Sequence, residues 1–333
     1  MRVWLPAIRA GSGADVFTER LAAALTRRGV EAIVSWFPHR SELMPDMLRF
    51  AWMPERINVI HTNSAYAFAF KRKGIPLVVT EHHYTLDPAY RPYMSPAQRL
   101  YHGILVKPYL RRSYAAADAI TTDSLFTAKV LNDVAGVRAT RTIQLWVDYD
   151  AFSPRVGNPP KHGGVFRLLF VGNASRRKGA DVIAPLARRL GAGFEIRCSA
   201  GLRRQMQQAL ADNVRMLGRL TQEQLIQEYR DCDAVLVPSR YEGFGYAALE
   251  GMACGKPVVG FRCGAVAEVV SEGKTALLAD IDDVDTLARY CEQLKQNPEI
   301  AGILGETGRD RAVSLFSESK GIDSYLELYR SLQ

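Results

Sequence analysis

The sequence predicts an α/β protein of two domains, each built on a parallel sheet that is covered by helices on both faces. Three observations predict this fold class. Apolar, β-branched segments of strand length alternate with longer segments of helical periodicity. The chain has 333 residues, which is enough for two separate cores. Residues 154–164 are rich in proline and glycine and lack periodicity, and the alternation starts again after them.

The first half opens with an apolar strand and an amphipathic helix. The helix pattern runs into Arg27, Arg28 and Gly29, and basic residues followed by glycine are typical of a helix C-terminus. We therefore expect residues 1–153 to form a Rossmann-like domain. Its strand-like segments are, in order, MRVWLPAI, EAIVSWF, INVIHTNS, IPLVVTEHH, AITTDS and TIQLWVD.

The second half repeats the pattern after the linker predicted at 154–164. We expect residues 165–315 to form a second Rossmann-like domain. Ligands of such sheets bind beyond the carboxyl ends of the strands, so the sequence predicts a site in a central cleft that both sheets face. The strand-like segments are FRLLFVGNA, FEIRCSA, VRMLG, AVLVPS and PVVGF, and the helical segments are DVIAPLARRL, RQMQQALADN and TQEQLIQEYRDC.

The net charge of +8 is distributed unevenly along the chain. Residues 1–155 contain 20 Lys and Arg and 13 Asp and Glu, and 20 − 13 gives a net charge of +7. The rest of the chain therefore has a net charge of only +1. This excess favours an anionic partner for the first half. The sequence has no zinc-finger, basic-zipper or RNA-binding motif, so we do not expect that partner to be a nucleic acid.

The apolar runs, the N-terminus and the cysteines of the sequence indicate the cellular compartment of the protein and the redox state of its thiols. No apolar run approaches the roughly 18–20 residues that cross a bilayer, and the N-terminus does not resemble a signal peptide. We therefore expect a cytoplasmic protein. The five cysteines form no C-x-x-C pair, which predicts buried, reduced thiols rather than disulfides or a zinc site.

The segment GSGADV follows the first strand and opens the first helix. It resembles the start of a dinucleotide-binding motif, but Val16 stands where the third glycine would be, so NAD is not expected. Glycines at a helix N-terminus still allow backbone N–H groups to approach a phosphate, and Gly13 is therefore a candidate phosphate contact. The alternative is a tight turn that binds nothing.

The segment YEGFGYAALEGMACGKPVVG, residues 241–260, places two glutamates in unusual surroundings. Glu242 precedes Gly243, Phe244 and Gly245, whose backbone N–H groups lie near the start of a predicted helix. Glu250 lies within that helix among small apolar residues, where a buried carboxylate requires hydrogen-bond donors. The vicinal hydroxyls of sugars are suitable donors for both.

The same segment resembles the E-x7-E motif of the retaining glycosyltransferases of the GT-B fold, in particular family 4, the glycosyl transferases group 1. The resemblance extends over most of the chain. RLLFVGNASRRKGADVIAPLA resembles the diphosphate-binding strand and loop of that family, VVTEHHYTLDP its histidine-bearing N-terminal loop, and IQLWVDYDAFSP its hinge segment. The resemblance implies two Rossmann-like domains and a C-terminal helix, residues 316–333, that crosses back to the first domain.

The resemblance also implies roles for individual residues. Glu250 would bind the ribose hydroxyls, and Glu242 would bind the hexose hydroxyls together with the backbone of the adjoining loop. Lys178 and Arg177 would neutralise the diphosphate leaving group. His82 would face the donor sugar or the acceptor, although the adjacent His83 is an alternative. The predicted catalytic residues are Glu242, Lys178, Arg177 and His82, and the predicted donor-binding residues are Glu250, Gly243, Phe244, Gly245, Gly13, Gly172 and Asn173.

Three features depart from the family pattern or remain open. Asn173 stands where many relatives have arginine, so Arg176 or Arg177 would supply that charge. Leu145 and Trp146 replace an Asn-Gly pair at the hinge. His61, within a predicted strand, is interpreted as structural rather than catalytic.

The implied reaction is the transfer of a hexose from a UDP- or GDP-hexose to a saccharide, without metal or other cofactor. Several D-x-D matches lie outside the predicted site, and the basic residues would replace a metal ion. Basic and aromatic residues in SPAQRLYHGILVKPYLRRSYAAAD favour a lipid-linked acceptor at an anionic membrane surface, for envelope polysaccharide or lipopolysaccharide synthesis at its inner face. A nucleotide-sugar epimerase and a non-catalytic nucleotide-sugar-binding protein are the alternatives.

Overall fold

The structure is a computed structural model that describes residues 1–157, 163–200 and 211–333. The chain divides into two compact units. The first contains Met1–Leu145 and Glu318–Gln333, and the second contains Trp146–Ser317. Each unit contains a six-stranded sheet in which all strand pairs are parallel. The α/β fold with two parallel sheets is therefore confirmed.

The sheet of the first unit has the strand order β2-β1-β3-β4-β5-β6. Its central strands are almost entirely buried, as expected for a parallel sheet covered on both faces. The strands are β1 (Arg2–Ile8), β2 (Glu31–Phe37), β3 (Val59–Asn63), β4 (Leu77–Glu81), β5 (Ala119–Thr122) and β6 (Arg141–Thr142). The α-helices are α1 (Gly13–Arg27), α2 (Pro96–Tyr101), α3 (Lys107–Ala116), α4 (Leu125–Ala135) and α11 (Glu318–Ser331).

The sheet of the second unit has the order β12-β11-β10-β7-β8-β9. Helix α5 is strongly amphipathic and covers one face with its apolar side, which includes Ile183 and Leu186. The strands are β7 (Phe166–Gly172), β8 (Phe194–Ala200), β9 (Val214–Gly218), β10 (Ala234–Val237), β11 (Val258–Phe261) and β12 (Ala276–Ala279). The helices are α5 (Ala180–Leu190), α6 (Gln222–Asp231), α7 (Tyr246–Ala253), α8 (Val266–Val269), α9 (Val284–Gln296) and α10 (Pro298–Leu315).

Helix α11 completes the first unit, although it is the last element of the chain. Tyr325 packs against the ring of Phe17, with ring centroids 6.0 Å apart, and the hydroxyl of Tyr329 lies 2.5 Å from His61 Nδ1. At the surface, Arg27 of α1 donates to Glu318 at 2.8 Å. The amphipathic C-terminal segment therefore belongs to the first core.

The second unit begins earlier than the predicted linker. Phe152 is buried, and Arg230 of α6 donates to the carbonyl oxygens of Ser153 and Ala151 at 3.0 and 3.1 Å. These side chain–backbone bonds attach residues 146–153 to the second unit, which sequence patterning alone does not reveal. Of the predicted linker 154–164, residues 158–162 lie outside the described residues.

Most predicted elements are confirmed, and two corrections are needed. The strand predicted over TIQLWVD is wrong, since only Arg141–Thr142 pairs with β5 and the chain then leaves the sheet as buried coil. The final strand β12 and the helices α4, α8 and α10 were not predicted. The helix predicted over residues 204–213 falls largely outside the described residues.

Candidate active site

The sheet of the second unit has a topological switch point between β7 and β10. These strands lie side by side, while the chain continues from β7 towards one edge and from β10 towards the other. Loops that diverge from such a pair leave a crevice at the carboxyl ends, which is where open α/β sheets bind ligands. Lys178 follows β7 and Glu242 follows β10. The sheet therefore brings together two predicted site residues that are 64 positions apart in sequence.

The basic residues after β7 lie on a single 3-10 turn, Arg176–Lys178. Ser175 caps this turn by accepting a bond from the backbone N–H of Lys178 at 3.3 Å, and Gly179 ends it with φ 73° and ψ 24°. The backbone N–H of Arg240 donates to a carbonyl of the turn at 2.8 Å. The loops after β7 and β10 are therefore attached to each other.

Glu242 is the centre of the cluster. The ammonium of Lys178 donates to Oε1, and the hydroxyl of Ser239 donates to the same oxygen at 2.7 Å. A guanidinium nitrogen of Arg177 lies 3.5 Å from Oε2. The residue is only 6% exposed, so two cations and a hydroxyl surround a carboxylate with little access to water.

These neighbours control the protonation of Glu242. Burial alone would raise its pKa, but Lys178 and Arg177, together with the hydrogen bonds from Lys178 and Ser239, lower the pKa from 4.5 to about 2. The side chain is therefore a carboxylate at neutral pH. A group in this state accepts hydrogen bonds from hydroxyls and cannot act as a general acid.

The structure distinguishes the two arginines that the sequence left as alternatives. Arg177 is 19% exposed and donates to the carbonyl of Tyr241 at 2.9 Å as well as approaching Glu242. Arg176 is 70% exposed and faces Asp181 at 3.8 Å. The charge beside Glu242 is therefore that of Arg177.

Gly172 and Asn173 lie at the end of β7, next to this cluster. A Cβ atom on Gly172 would meet the side chain of Lys178 at 3.6 Å, an ordinary van der Waals distance. Gly172 is thus adjacent to the lysine, and space alone does not require a glycine there. Asn173 is the first residue beyond β7.

The loop Gly243-Phe244-Gly245 leads from Glu242 into α7. Gly245 is the N-cap of α7 with φ 116°, a conformation that favours glycine. The ring of Phe244 is buried and packs edge-on against Phe316 at 5.9 Å. This anchor holds the glycine backbone at the N-terminal end of α7, where N–H groups and the helix dipole favour an anion.

Glu250 lies in the second turn of α7 and is 5% exposed. The hydroxyl of Tyr229, on α6, donates to its Oε2 at 3.0 Å. The predicted buried carboxylate is confirmed as buried, and a protein hydroxyl is one of its donors.

His82, a predicted catalytic residue of the first unit, lies in a polar cluster at the carboxyl ends of three adjacent strands. Asn63 ends β3, His82 follows β4 and Asp123 follows β5. His82 Nδ1 lies 2.6 Å from Asp123 Oδ2, and His82 Nε2 lies 2.9 Å from Asn63 Oδ1. Phe17 packs edge-on against the imidazole, with centroids 4.9 Å apart.

Both ring nitrogens of His82 therefore face oxygen acceptors. The amide of Asn63 is oriented by its bond to Tyr66, whose hydroxyl lies 3.1 Å from Nδ2. Burial disfavours the charged imidazole, but the Asp123 carboxylate outweighs burial and raises the pKa of His82 above its ordinary value. Two oxygen acceptors and a raised pKa favour the protonated form of His82, which the Asp123 carboxylate stabilises.

The other two histidines of this region differ from His82. His61 is fully buried between Tyr329 and Thr80, and burial lowers its pKa to about 3, so it is neutral and structural as predicted. His83 packs edge-on against Tyr90, with centroids 5.8 Å apart. Of the adjacent pair, His82 is therefore the member that lies in the polar cluster.

Gly13 is the first residue of α1, but backbone N–H groups of the loop before it already bind a carboxylate of that helix. The carboxylate of Asp15 accepts bonds from the backbone N–H groups of Gly11 at 2.7 Å and Ala10 at 3.1 Å. A Cβ on Gly13 would meet no atom within 4 Å. Space within this unit therefore does not require glycine at position 13, and its phosphate contact stays a prediction.

The charge state of His82 is open to direct measurement. We expect the imidazole of His82 to titrate above 6.5 in NMR spectra and the Asp123→Asn variant to lower that pKa, because the variant removes the charge that stabilises the imidazolium. The stability gained from the protonated pair is present below the unfolded-state pKa and is lost as pH rises through the raised folded-state value. His61 is expected to remain neutral near pH 7 in both proteins.

An unchanged His82 titration in Asp123→Asn would show that Asp123 does not hold the proton, and the imidazolium assignment would be wrong.

Sequence reasoning missed several residues that the structure places in or beside these clusters, among them Tyr229, Asp123 and Asp15. Asp123 carried a usable signal, because it directly follows a buried strand in the segment AITTDS. Tyr229 and Asp15 carried none, since each lies on a helix whose orientation is set by packing.

Comparison with known families connects these observations. Residues 157–311 match the family model described as glycosyl transferases group 1, and residues 32–151 match the one described as glycosyltransferase family 4. The two matches together extend over most of the chain.

Individual relatives agree with the family models. The chain is 29% identical to alpha-maltose-1-phosphate synthase of Mycolicibacterium smegmatis over 84% of this chain and 80% of that protein. It is 28% identical to MMP alpha-(1->4)-mannosyltransferase of Mycolicibacterium hassiacum, over 78% of this chain and 67% of that protein. An uncharacterized glycosyltransferase of Methanocaldococcus jannaschii is 32% identical over 49% of this chain, which spans only 48% of that relative.

Solved structures agree on the fold. Sucrose-phosphate synthase of Thermosynechococcus elongatus superposes with a TM-score of 0.82 at 21% identity, covering 99% of each chain. Anabaena HepE, in complex with UDP and glucose, superposes with a TM-score of 0.78 at 17% identity, covering 99% of this chain and 100% of that one. Two parallel α/β units with these neighbours define a GT-B protein. Within that class, the chain belongs to family 4 of the glycosyltransferases.

Proposed function

We propose that the chain transfers a hexose from a nucleotide-diphosphate sugar to a saccharide acceptor with retention of the anomeric configuration. The observation that carries this proposal is the convergence of Lys178 and Arg177 on the ionised Glu242 at the switch point. A departing nucleoside diphosphate gains negative charge, and fixed cations in a site with little water stabilise that charge. The complex of HepE with UDP and glucose supports a UDP-hexose donor, and a GDP-hexose is the alternative.

In this proposal each carboxylate binds a different part of the donor. Glu242, ionised and next to the glycine loop, accepts hydrogen bonds from hexose hydroxyls. The backbone N–H groups of Gly243, Phe244 and Gly245 add donors at the start of α7. Glu250 accepts from the two ribose hydroxyls, which join Tyr229 as donors to the buried carboxylate.

The transfer itself exchanges two bonds at the anomeric carbon. The bond to the donor phosphate oxygen breaks and the bond to the acceptor oxygen forms on the same face of the sugar. The acceptor hydroxyl passes its proton to the departing phosphate, so no protein base is needed. Lys178 and Arg177 stabilise the charge on that phosphate. His82, as an imidazolium, is proposed to donate a hydrogen bond to a sugar hydroxyl.

We propose further that no metal or other cofactor is required. The proposal is supported by Lys178 and Arg177, which flank Glu242 and would take the place of a metal ion at the leaving group. Within the described residues, no group of three or more His, Cys, Asp or Glu side chains is arranged to hold a metal ion. The nucleotide-diphosphate sugar then binds as a co-substrate and not as a cofactor.

The acceptor is proposed to be a lipid-linked saccharide of envelope polysaccharide or lipopolysaccharide synthesis, used by a peripheral protein at the inner face of the membrane. The basic excess of residues 1–155 supports an anionic surface or a phosphorylated acceptor for the first unit. Along the described part of the chain, no helix is both long and apolar enough to cross a bilayer.

Binding of the donor is tested by thermal unfolding with UDP, GDP, ADP and their sugar conjugates. A ligand that binds only the folded protein raises the apparent unfolding temperature. We expect one nucleotide to stabilise the wild type and to bind Glu250→Ala at least about tenfold more weakly, because two charge-assisted hydrogen bonds to ribose are lost.

Two matched variants separate binding from folding. Tyr229→Phe removes one protein donor to Glu250 but leaves the carboxylate, so nucleotide stabilisation should persist. Glu306→Ala changes an exposed glutamate of the same unit and should behave as wild type. If no nucleotide stabilises the wild type, the proposed donor site is wrong. A GT-B protein that has lost transferase activity is then the better interpretation.

A further inference from the structure

The first unit exposes a run of large apolar side chains, residues 43–52, which we call the apolar segment. Within these ten residues five such side chains face water, whereas the other exposed ones of the described chain occur singly or in pairs. An exposed apolar cluster of this density marks an interaction surface. The side chains and their exposures are Leu43 57%, Met44 66%, Met47 61%, Phe50 84% and Trp52 75%.

The backbone of the apolar segment is held in place, so the exposure is built into the fold. Pro45 and Leu48 are buried and fasten its short 3-10 helix, Pro45–Phe50, to the unit. Arg72 donates to the carbonyl oxygens of Arg49 and Ala51 at 3.1 and 3.4 Å. The exposed side chains are not needed to hold this backbone, because small or polar residues at the same positions would leave the contacts of Pro45, Leu48 and Arg72 unchanged. The large apolar side chains therefore have a role other than folding.

Beside the apolar segment lies a groove of 680 Å³ with a cationic lining, which we call the basic groove. The guanidinium of Arg112 stacks 3.7 Å above the ring of Phe68 and is paired with Asp46. Lys71 is paired with Asp118. Four cations against these two carboxylates leave a net positive charge. The groove is lined by Arg49, Phe68, Lys71, Arg72, Arg112, Ala115 and Ala116.

A second pair of exposed apolar side chains lies on the helix that contacts the apolar segment. Leu100 and Ile104 are 64% and 60% exposed and are one helical turn apart. The helical path continues into α3, whose Tyr109 donates to the carbonyl of Leu43 at 3.3 Å. The helical path that carries Leu100 and Ile104 is therefore attached to the apolar segment at Leu43.

We propose that the apolar segment and the basic groove form a docking surface for a membrane that contains anionic lipid. Phe50, Trp52 and Met47 enter the interfacial layer of the bilayer, and the groove binds lipid phosphates. Large amphipathic or flexible apolar groups next to arginines suit this boundary, and the excess positive charge of residues 1–155 matches an anionic surface. The inference rests on the proposed function in one respect, since the membrane is where a lipid-linked acceptor would be met.

The test is sedimentation of the full chain with phosphatidylcholine vesicles that contain about one third phosphatidylglycerol. We expect the wild type to bind at low salt and to bind vesicles of phosphatidylcholine alone much less. The double variant Phe50→Ser, Trp52→Ser should bind the anionic vesicles at least about tenfold more weakly, because two exposed apolar anchors are lost. Arg49→Glu should weaken binding in a way that added salt reduces.

Leu125→Ser, which changes a 66% exposed apolar side chain of the same unit outside this surface, is the control and should bind as wild type. The proposal is overturned if the wild type does not bind anionic vesicles at low salt. It is also overturned if the double variant binds them as well as the wild type does. A wild-type dimer that the double variant converts to monomer in sedimentation equilibrium also overturns it, since the surface would then join two copies. Nucleotide-induced thermal stabilisation, measured without vesicles, tests the donor site separately.

Discussion

Replacing Lys178 by methionine is expected to lower kcat/KM by about a hundredfold to a thousandfold, because the leaving diphosphate loses a fixed cation in a site with little water. The wild-type lysine already donates to Glu242 and is 20% exposed. Release of nucleoside diphosphate from the identified donor, measured in the presence of EDTA, follows the reaction. A requirement for added metal in the wild type would contradict the proposed metal independence.

Two substitutions provide the comparison for Lys178→Met. Lys178→Arg keeps a cation and should retain more activity than methionine. Arg176→Ala removes a 70% exposed cation from the same turn and should have little effect. If Lys178→Met and Arg176→Ala were equally active, the lysine would have no place in the reaction.

The same variant has a pH signature in its stability. Because the folded-state pKa of Glu242 is lowered from 4.5 to about 2, the stabilisation from its ion pairs is present above pH 4.5 and is lost as pH falls towards 2. Lys178→Met should therefore be less stable than wild type at neutral pH, and the two proteins should converge over that acidic range. Urea denaturation at several pH values measures the difference.

The location of the site could be predicted from the sequence, because it depends on strand order and on motif position. Lys178 and Glu242 follow β7 and β10, and a parallel sheet places the ends of neighbouring strands at one edge. The glycines around Glu242 and the small residues around Glu250 also predicted a loop and a buried helix.

The orientation of individual side chains could not be predicted in this way. Whether Arg176 or Arg177 faces Glu242 depends on the phase of a single 3-10 turn, which Gly179 and the contact with Arg240 determine. Asp123 meets His82 only because β4 and β5 are neighbours. Such contacts depend on tertiary packing, which local periodicity does not encode.

The strand predicted over residues 142–148 is wrong for a related reason. An apolar, β-branched segment is typical of a buried strand, but Leu145 and Trp146 are buried in coil rather than paired in a sheet. A buried coil and a buried β-strand can have the same apolar sequence pattern. Which of the two forms depends on whether a neighbouring strand is available for pairing, and this is set by tertiary structure.

Gly179→Ala is expected to destabilise the second unit by about 3 kcal/mol or more, since left-handed backbone strain adds to overpacking. Gly179 has φ 73°, and a Cβ there would lie 2.0 Å from the carbonyl oxygen of Pro238. That oxygen belongs to the segment that directly follows β10, so neither side can move without shifting the loop of Glu242. Urea denaturation, followed by a probe in the second unit, measures the loss.

Gly273→Ala is the matched control, because Gly273 has φ 74° in the same unit and a Cβ there would meet no atom within 4 Å. Its expected cost is about 1 kcal/mol from the backbone conformation alone. The difference between the two variants therefore isolates the close approach of the loops after β7 and β10. The same approach positions Lys178 beside Glu242, so Gly179→Ala should also lose catalytic activity under conditions where it remains folded, whereas Gly273→Ala should not. Equal losses of stability in both variants would show that the loops after β7 and β10 can move apart without a loss of folding free energy. The close approach of these loops would then not explain the position of Lys178 beside Glu242.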